Sequence, residues 1–538
     1  MPGTLKGALY GAPYGALYGT LNATTIGTSG DTMRNSMKAT MSQSHDNYRI
    51  GRFKLLGGLV VLLGIPQLGM QAAEPDQTPT FSNEVVRVLQ QKCQRCHQPG
   101  GIGPMPLETY DQARAWAPRI KENVRRRVMP PWHLDPTIGI QEYKNDFSLS
   151  NEQIATLVAW ADAGAPEGNP ADLPQPVEWP NWLQWELEPD LGPPDMVFES
   201  GPIEVRAEGG DFWPSIDVEW PALVQPRYLK AAEIRNTIQG RGALHHNNIR
   251  LNLEEGPSGR VVGAGAGKRW DYFGEDTGIL FDVGPGVVNF GAHYFPIGVE
   301  FEDNIEVAFW FHPADDPPET VASVEIHHLV DQFDPDQPRA RDILIPPHGT
   351  QTMYRTWVLD EPVMLNSFRG HMHLHGIAMS IEVVWPGRVR DYYGPGANRR
   401  DVIASINNYN HNWQTSFVFE DDARPILPAG TAIVMRTHFD NTENNPLSID
   451  PDQWVVFGGR SVDAMSHFHV SVTYLEEEEY DSLLVQRFDQ LAGRKERDGE
   501  YGTALLAIHP DERTRLETGN ETATVAEPSR GVDRYSQR

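Results

Sequence analysis

The spacing of apolar residues changes along this chain. In residues 83–92 (NEVVRVLQQK), Val85, Val86, Val88 and Leu89 fall near one face of a short helix. A second helix is predicted after Ser150, which forms a capping-box pattern with Gln153. Ile154, Leu157, Val158 and Ala161 make its buried stripe beside Trp160, and Gly164 and Pro166 stop it. From about residue 200 the period shortens to two. The runs 287–301, 304–311, 323–330, 378–385, 431–439 and 467–475 are rich in β-branched and aromatic residues and are separated by turn residues. They predict packed antiparallel sheets, arranged as two successive sandwiches. Beyond Leu475 the chain turns acidic. A short amphipathic helix is predicted around 480–493, and the polar end of the chain reads as disordered.

With 538 residues the chain is long enough for several cores, and its 43 prolines and 49 glycines suit a strand-and-turn architecture. A formal net charge of -28 argues against nucleic acid and against an anionic membrane surface as partners. Arg49, Arg52 and Lys54 precede an apolar stretch at 55–70, and Gln71-Ala72-Ala73 offers a small-residue cleavage site. Residues 1–73 thus read as a leader carrying a signal peptide, with a true start near Met33, Met37 or Met41. The expected location is periplasmic or otherwise extracytoplasmic, with membrane attachment only if the leader stays uncleaved.

The only two cysteines fall in Cys93-Gln94-Arg95-Cys96-His97, the C-x-x-C-H pattern of covalent haem c attachment. The thiols would bond the haem, and His97 would be the proximal iron ligand. Zinc would need further ligands at short spacing. No cysteine remains for a disulfide framework. Met129-Pro130-Pro131-Trp132-His133 follows a basic run, and its prolines suit a stiff loop that presents a thioether to the iron. Met129 is the expected sixth ligand, with Met105 and His133 as rivals. Residues 76–172 resemble a small monohaem cytochrome c, and a Pro- and Trp-rich connector, 173–196, follows.

In the β region the histidines carry the chemistry. His245 and His246 are adjacent, His293 lies in Ala-His-Tyr-Phe-Pro, and His371-Met372-His373 sits on a strand-like stretch. On a strand, His371 and His373 point the same way and make a two-nitrogen clamp. With Met465 in Val-Asp-Ala-Met-Ser, imidazole and thioether make a ligand set suited to copper cycling between two oxidation states. His312, His327 and His328 are an alternative site without an evident third partner, and His45, His348 and His509 read as surface or core residues.

The order His-His, His-Tyr, Gly-His-Met-His-Leu-His-Gly and Asp-Ala-Met resembles the copper type II, ascorbate-dependent monooxygenases, the group of peptidylglycine α-hydroxylating and dopamine β-monooxygenases. The resemblance covers roughly residues 200–476. The stretches Thr437–Asn441 and Tyr409–Gln414, and a Met-Pro-Pro-Trp-His loop in an N-terminal cytochrome, are similar to bacterial members. It implies a small all-α cytochrome c domain followed by two all-β antiparallel sandwich subdomains, 197–345 and 346–480; the composition that follows reads as a charged, largely disordered tail at 481–538. The resemblance implies one haem c and two coppers facing each other across an open cleft. His245, His246 and His293 would hold the electron-relaying copper. His371, His373 and Met465 would hold the copper at which O2 reacts as co-substrate.

The activity implied is hydroxylation of a C–H bond in a small organic substrate, with electrons from a periplasmic donor or an ascorbate-like reductant. Arg369 stands where peptide-hydroxylating members place a carboxylate-binding arginine. His467 and His469 replace the rest of that clamp, which argues against a peptide with a C-terminal glycine. By strand alternation they share a face with Met465 and are expected to line the substrate pocket or add a copper ligand. The alternatives are a non-enzymatic electron-transfer or copper-binding haem protein, and a haem-only sensor.

Overall fold

A computed structural model describes residues 78–254, 259–265, 268–281, 283–328, 343–387 and 399–518. The expected leader, 1–73, lies outside the described residues. No helix among the described residues is long and apolar enough to cross a membrane.

The first core is helical. Phe81, Val85, Val86 and Leu89 meet Ala113, Ala117, Ile120 and Val124 of the helix Tyr110–Arg125, and Leu157 and Trp160 of the helix Asn151–Asp162. Ser150 and Gln153 close a reciprocal capping box at the start of the last helix, satisfying two backbone donors that would otherwise lack partners. Trp160 is wholly buried, and its indole N–H donates to the Pro166 carbonyl at 3.0 Å.

Five sheets follow. A six-stranded sheet runs Thr320–Val321, Thr277–Phe281, Arg227–Arg235, Phe301–Phe311 and Met196–Val205, with Trp270–Tyr272 added to Arg227–Arg235. It shares a core of Val205, Leu229, Ile249, Val288, Phe290 and Phe309 with a four-stranded sheet in the order Ser215–Trp220, Gly286–Tyr294, Leu244–Leu253 and Gly259–Gly265.

Two five-stranded sheets enclose the largest core. One runs Leu134–Gly139, Arg400–Ile406, Gly376–Val384, Ala432–Asp440 and Thr350–Val358. The other runs Ser323–His328, Ser466–Tyr474, Val363–Met372 and Phe417–Val418, with Ile426–Leu427 paired to Val363–Met372. Phe368, Met372, Phe468, Ile381 and Ile403 lie between them. A two-stranded ribbon, Leu344–Ile345 with Val455–Val456, completes the set.

This arrangement corrects the expected fold class. Among the described residues strand outweighs helix and forms five sheets, and the segment 76–172 is not all-α. Leu134–Gly139, from the middle of that segment, pairs antiparallel with Arg400–Ile406 as an edge of the C-terminal layers. Trp132, Leu134, Ile140 and Tyr143 belong to the largest core. The cause is local. Pro130, Pro131 and Pro136 rule out a helix interior, an edge strand tolerates a missing N–H, and the apolar residues around them bury against the nearest large sheet.

The helix expected around 480–493 is present within a longer one, while the expectation of a largely disordered tail from 481 is corrected. Glu477–Asp498 is a helix of 22 residues. Its Leu484 and Leu491, with Ala504, Ala507 and Ile508 after it, join the same core. Buried Arg487 donates to the carbonyl oxygens of Arg424 (2.7 Å) and Asp421 (2.9 Å). Order therefore continues through Pro510–Thr518, because one face of a charged helix found an apolar partner surface.

Candidate metal centre

The strand Val363–Met372 shows two faces. Phe368 and Met372 enter the large core, so Arg369 and His371 face the opposite way, followed by His373 just past the strand end. Ser466–Tyr474 pairs with it so that His467 lies opposite His371 and His469 opposite Arg369. The four-stranded sheet has a matching face: Phe290, Ala292 and Tyr294 are in its core, which turns His293 outward, and His246 pairs directly with His293.

His245 would point the wrong way on a regular strand. Between Leu244 and His246 the register shifts, with Leu244 opposite Tyr294 and His246 opposite His293. His245 is thus the extra residue of a β-bulge, a feature that re-aims a side chain. Its ring centroid lies 5.3 Å from that of His246 and 4.9 Å from His293, and His246 and His293 are 5.0 Å apart.

The two faces close on one another. His371 and His373 rings are 5.2 Å apart, His246 and His371 are 6.2 Å apart, and His245 and His373 are 6.5 Å apart. The two expected ligand sets therefore sit in ring contact across a closed interface, where the resemblance implied an open cleft. His467 stacks on His371 at 4.3 Å and lies 4.7 Å from His469. Met465 is half-buried next to the clamp, and its carbonyl accepts the His373 backbone N–H at 3.3 Å.

Several residues at this interface carry signals too weak to be assigned from sequence. His411 stacks on His245 at 4.3 Å and lies 5.7 Å from His373. Its Nδ1 donates to the Met372 carbonyl at 3.0 Å, beside the Tyr409 hydroxyl bonded to the same residue. Gln414 Oε1 accepts from His371 Nδ1 at 2.9 Å. Asp211 Oδ2 accepts from His293 Nε2 at 3.1 Å and also from the Ser461 N–H at 3.3 Å, while Trp213 stacks on His293 at 4.7 Å. His411 and Gln414 stand in the noted stretch Tyr409–Gln414, but which faces of a loop meet a strand is not visible in its spacing.

These hydrogen bonds test the donor set for a metal. His371, His373 and His293 each have one ring nitrogen held by a side-chain or carbonyl acceptor, with His373 Nδ1 on the Asp463 carbonyl at 3.2 Å. Buried His245 Nε2, His293 Nδ1 and His371 Nε2 have no hydrogen-bond partner among the described residues. An acceptor on one nitrogen and a lone pair left on the other is how ligating imidazoles are commonly held. Burial, with neighbouring imidazoles second, pushes His373 down to about 3 and also pushes His245 and His371 well below the ordinary imidazole value, which favours the neutral form that binds a metal. Among the described residues no three His, Cys, Asp or Glu side chains already converge as a closed cage. Ring rotation has to complete either set. The chemistry of the donors fits copper.

Arg369 is buried and donates from Nη1 to the Gly263 carbonyl at 3.1 Å, so it ties the two faces together. Of the alternative histidines, His312 and His327 turn to separate partners. His327 turns to Trp357 at 4.4 Å, and His312 Nε2 bonds the Thr277 carbonyl at 3.0 Å.

At the haem motif, Cys93 and Cys96 are free, half-buried thiols, and burial pushes Cys93 up to about 12. His97 Nδ1 donates to the Met105 carbonyl at 2.9 Å, which leaves Nε2 as the ligating atom. Gly103 is packed on that imidazole so closely that a Cβ would lie 2.5 Å from Nδ1. These residues fit a haem c. Of the expected sixth ligands, Met129 is 36% exposed and borders a small cavity with Val124, Trp132 and Ile154. The Met105 side chain packs on the helical core, and His133 is buried.

No family model matches this chain, and no curated protein matches it. Among solved structures, a Bacteroides ovatus protein assigned as an α-L-fucosidase aligns at 9% identity over 57% of this chain and 42% of its own, with a TM-score of 0.14. This chain thus spans under half the length of that protein. The infectious bursal disease virus VP2 subviral particle aligns at 10% identity over 58% of this chain and 94% of its own, with a TM-score of 0.13. The PBSX exported protein XepA aligns at 10% over 52% and 86%, also at 0.13. Scores this low define no shared fold.

Proposed function

We propose that this protein is an exported, haem- and copper-containing monooxygenase that hydroxylates a C–H bond of a small organic substrate with O2. One observation carries the reading. His245, His246, His293, His371 and His373 come from three segments of two sheets, yet their rings meet, His246 half-buried and the other four buried. Burying that many imidazoles away from water is costly unless they serve something that binds them.

Copper would supply the redox site at which O2 is reduced, and haem c would store single electrons. His245, His246 and His293 would hold one copper, and His371, His373 and Met465 the other. Gln414, Asp463 and Asp211 hold the ring nitrogens of His371, His373 and His293 and so orient their other faces. Met372, Phe468 and the large core behind the clamp exclude water from one side. His467 and His469 line the same face as His371 and are placed to contact a substrate or to add a ligand. Cys93, Cys96 and His97 would hold the haem, with Met129 as its sixth ligand.

Metal analysis with oxygen uptake tests the reading. Two coppers per haem, and O2 consumption that depends on an added organic substrate, support it. Protein that carries no copper overturns it. A second reading, a non-enzymatic electron-transfer protein, is favoured by the deep burial of His245, His293 and His371. It predicts bound copper and haem without substrate-dependent O2 uptake.

A further inference from the structure

The loop that follows the two cysteines is fastened to the strand that carries His245 and His246. Arg241 Nη1 donates to the carbonyls of Gly100 (2.8 Å) and Gly101 (2.6 Å). Those carbonyls belong to a tight loop folded over the motif. The Gly103 N–H donates to the Cys96 carbonyl at 2.8 Å, the Gly101 N–H donates to the Gln98 carbonyl at 2.9 Å, and a Cβ on Gly101 would lie 2.3 Å from the Cys96 oxygen.

On the other side, Arg241 stands in the helical turn Gly240–Ala243, which runs directly into the strand Leu244–Leu253. The turn is anchored from below. Buried Asp303 accepts from the Thr237 N–H at 3.0 Å, the Asn236 amide at 2.9 Å and the Tyr294 hydroxyl at 2.7 Å. Two further grips flank the contact: Arg95 pairs with Glu186, and Gln98 Nε2 donates to the Pro180 carbonyl at 3.1 Å. The Pro- and Trp-rich connector therefore folds back and clamps the haem loop.

We propose that this contact is the joint through which electrons pass from the haem to the His245/His246/His293 set, and that Arg241 is the positioning residue that holds it. The inference rests on the haem and copper reading above. In each transfer the ferrous haem iron gives up one electron and becomes ferric, and one Cu(II) becomes Cu(I). No bond is made or broken and no proton moves. A soluble one-electron donor returns the haem to ferrous. Electron transfer falls steeply with separation, so a bonded, rigid contact a few residues from His245 sets the rate.

A competing joint exists. The His133 carbonyl accepts the Asn407 N–H at 3.3 Å, and the Asn407 side chain bonds Asp135, on the approach to His411. That joint leaves from the Met129 side, whereas Arg241 grips the loop built on Cys96 and His97.

The test uses the copper-loaded holoprotein under anaerobic conditions, with haem reoxidation by Cu(II) followed by rapid absorbance. Arg241→Ala should slow reoxidation at least tenfold, Arg241→Lys should restore part of the rate, and Asp135→Ala should leave it unchanged. Haem spectrum, haem potential and copper content should match wild type in all three. In metal-free protein, Arg241→Ala should also speed amide hydrogen exchange in residues 99–103. An unchanged rate in Arg241→Ala with both metals bound, or a slowed rate confined to Asp135→Ala, overturns the proposal and leaves the functional reading standing. Wild-type protein that binds both metals but passes no electron between them overturns both.

Discussion

The imidazoles of His246 and His371 face each other edge to plane, with centroids 6.2 Å apart at 87°. One belongs to the four-stranded sheet and the other to a sheet of the C-terminal layers. Their contact means that the two expected copper sets are neighbours and feel each other's charge.

Binding of two divalent ions should therefore occur in two unequal steps. The first ion raises the cost of placing a second positive charge beside it, and the second step should be at least about tenfold weaker. Titration of metal-free protein with Zn2+, a redox-silent probe, checks this. Two equal and independent sites would contradict the closed arrangement.

Gln414 is the hydrogen-bond acceptor that orients His371. Replacing it with leucine removes the acceptor and lets the ring turn. Affinity at the His371/His373 set should fall roughly 10–100-fold, while the His245/His246/His293 set keeps its affinity. Competition with a chelator of known strength reads both.

Trp132 joins the haem segment to the C-terminal layers. It is buried and makes edge contacts with Tyr143 at 5.8 Å, Phe147 at 5.0 Å and Phe417 at 4.8 Å. Trp132→Ala should cost about 3–5 kcal/mol and lower the urea midpoint. Proteolysis should then release the segment near residues 128–146 before the sheets are cut. A variant as stable as wild type would show that the segment is only loosely attached.

Burial holds the His133 imidazole down at about 4, from an ordinary 6.5. Its folded value lies below its unfolded one, so the unfolded chain takes up the proton first as pH falls. The stability this group contributes is complete above pH 6.5, declines as pH drops toward 4, and is gone below that. The loss amounts to about 3 kcal/mol. Other buried histidines act with the same sign, so the effect is read as a difference: His133→Gln should be less acid-sensitive than wild type in urea unfolding between those limits. Parallel curves would show that the ring is solvated.

Local features were legible. The Ser150–Gln153 cap, the burial of Leu157 from the stripe Ile154, Leu157, Val158 and Ala161, and the two-residue alternation that places His371 and His373 on one side depend on neighbours a few positions apart, and a one-dimensional pattern records those. The attachment of Leu134–Gly139 to Arg400–Ile406 was not legible. An edge strand with a proline reads as loop until a sheet with an open edge is present. The helix around 480–493 was expected, but the order that continues from 499 to 518 was hidden for a similar reason, because its charged residues mask the few apolar ones that meet the core.

By itself the sequence determined the inventory of candidate side chains: two thiols next to a histidine, a paired histidine, two histidines at alternate strand positions, and a methionine nearby. These are properties of residue type and short spacing. Only the tertiary structure decided that His245 sits in a bulge that turns it toward His246 and His293, that His411, Gln414 and Asp211 surround the cluster, and that the two sets meet in a closed interface. Register shifts and sheet-to-sheet contacts come from burying apolar surface over distant segments, so the orientation of each ring is set by packing that no local pattern encodes.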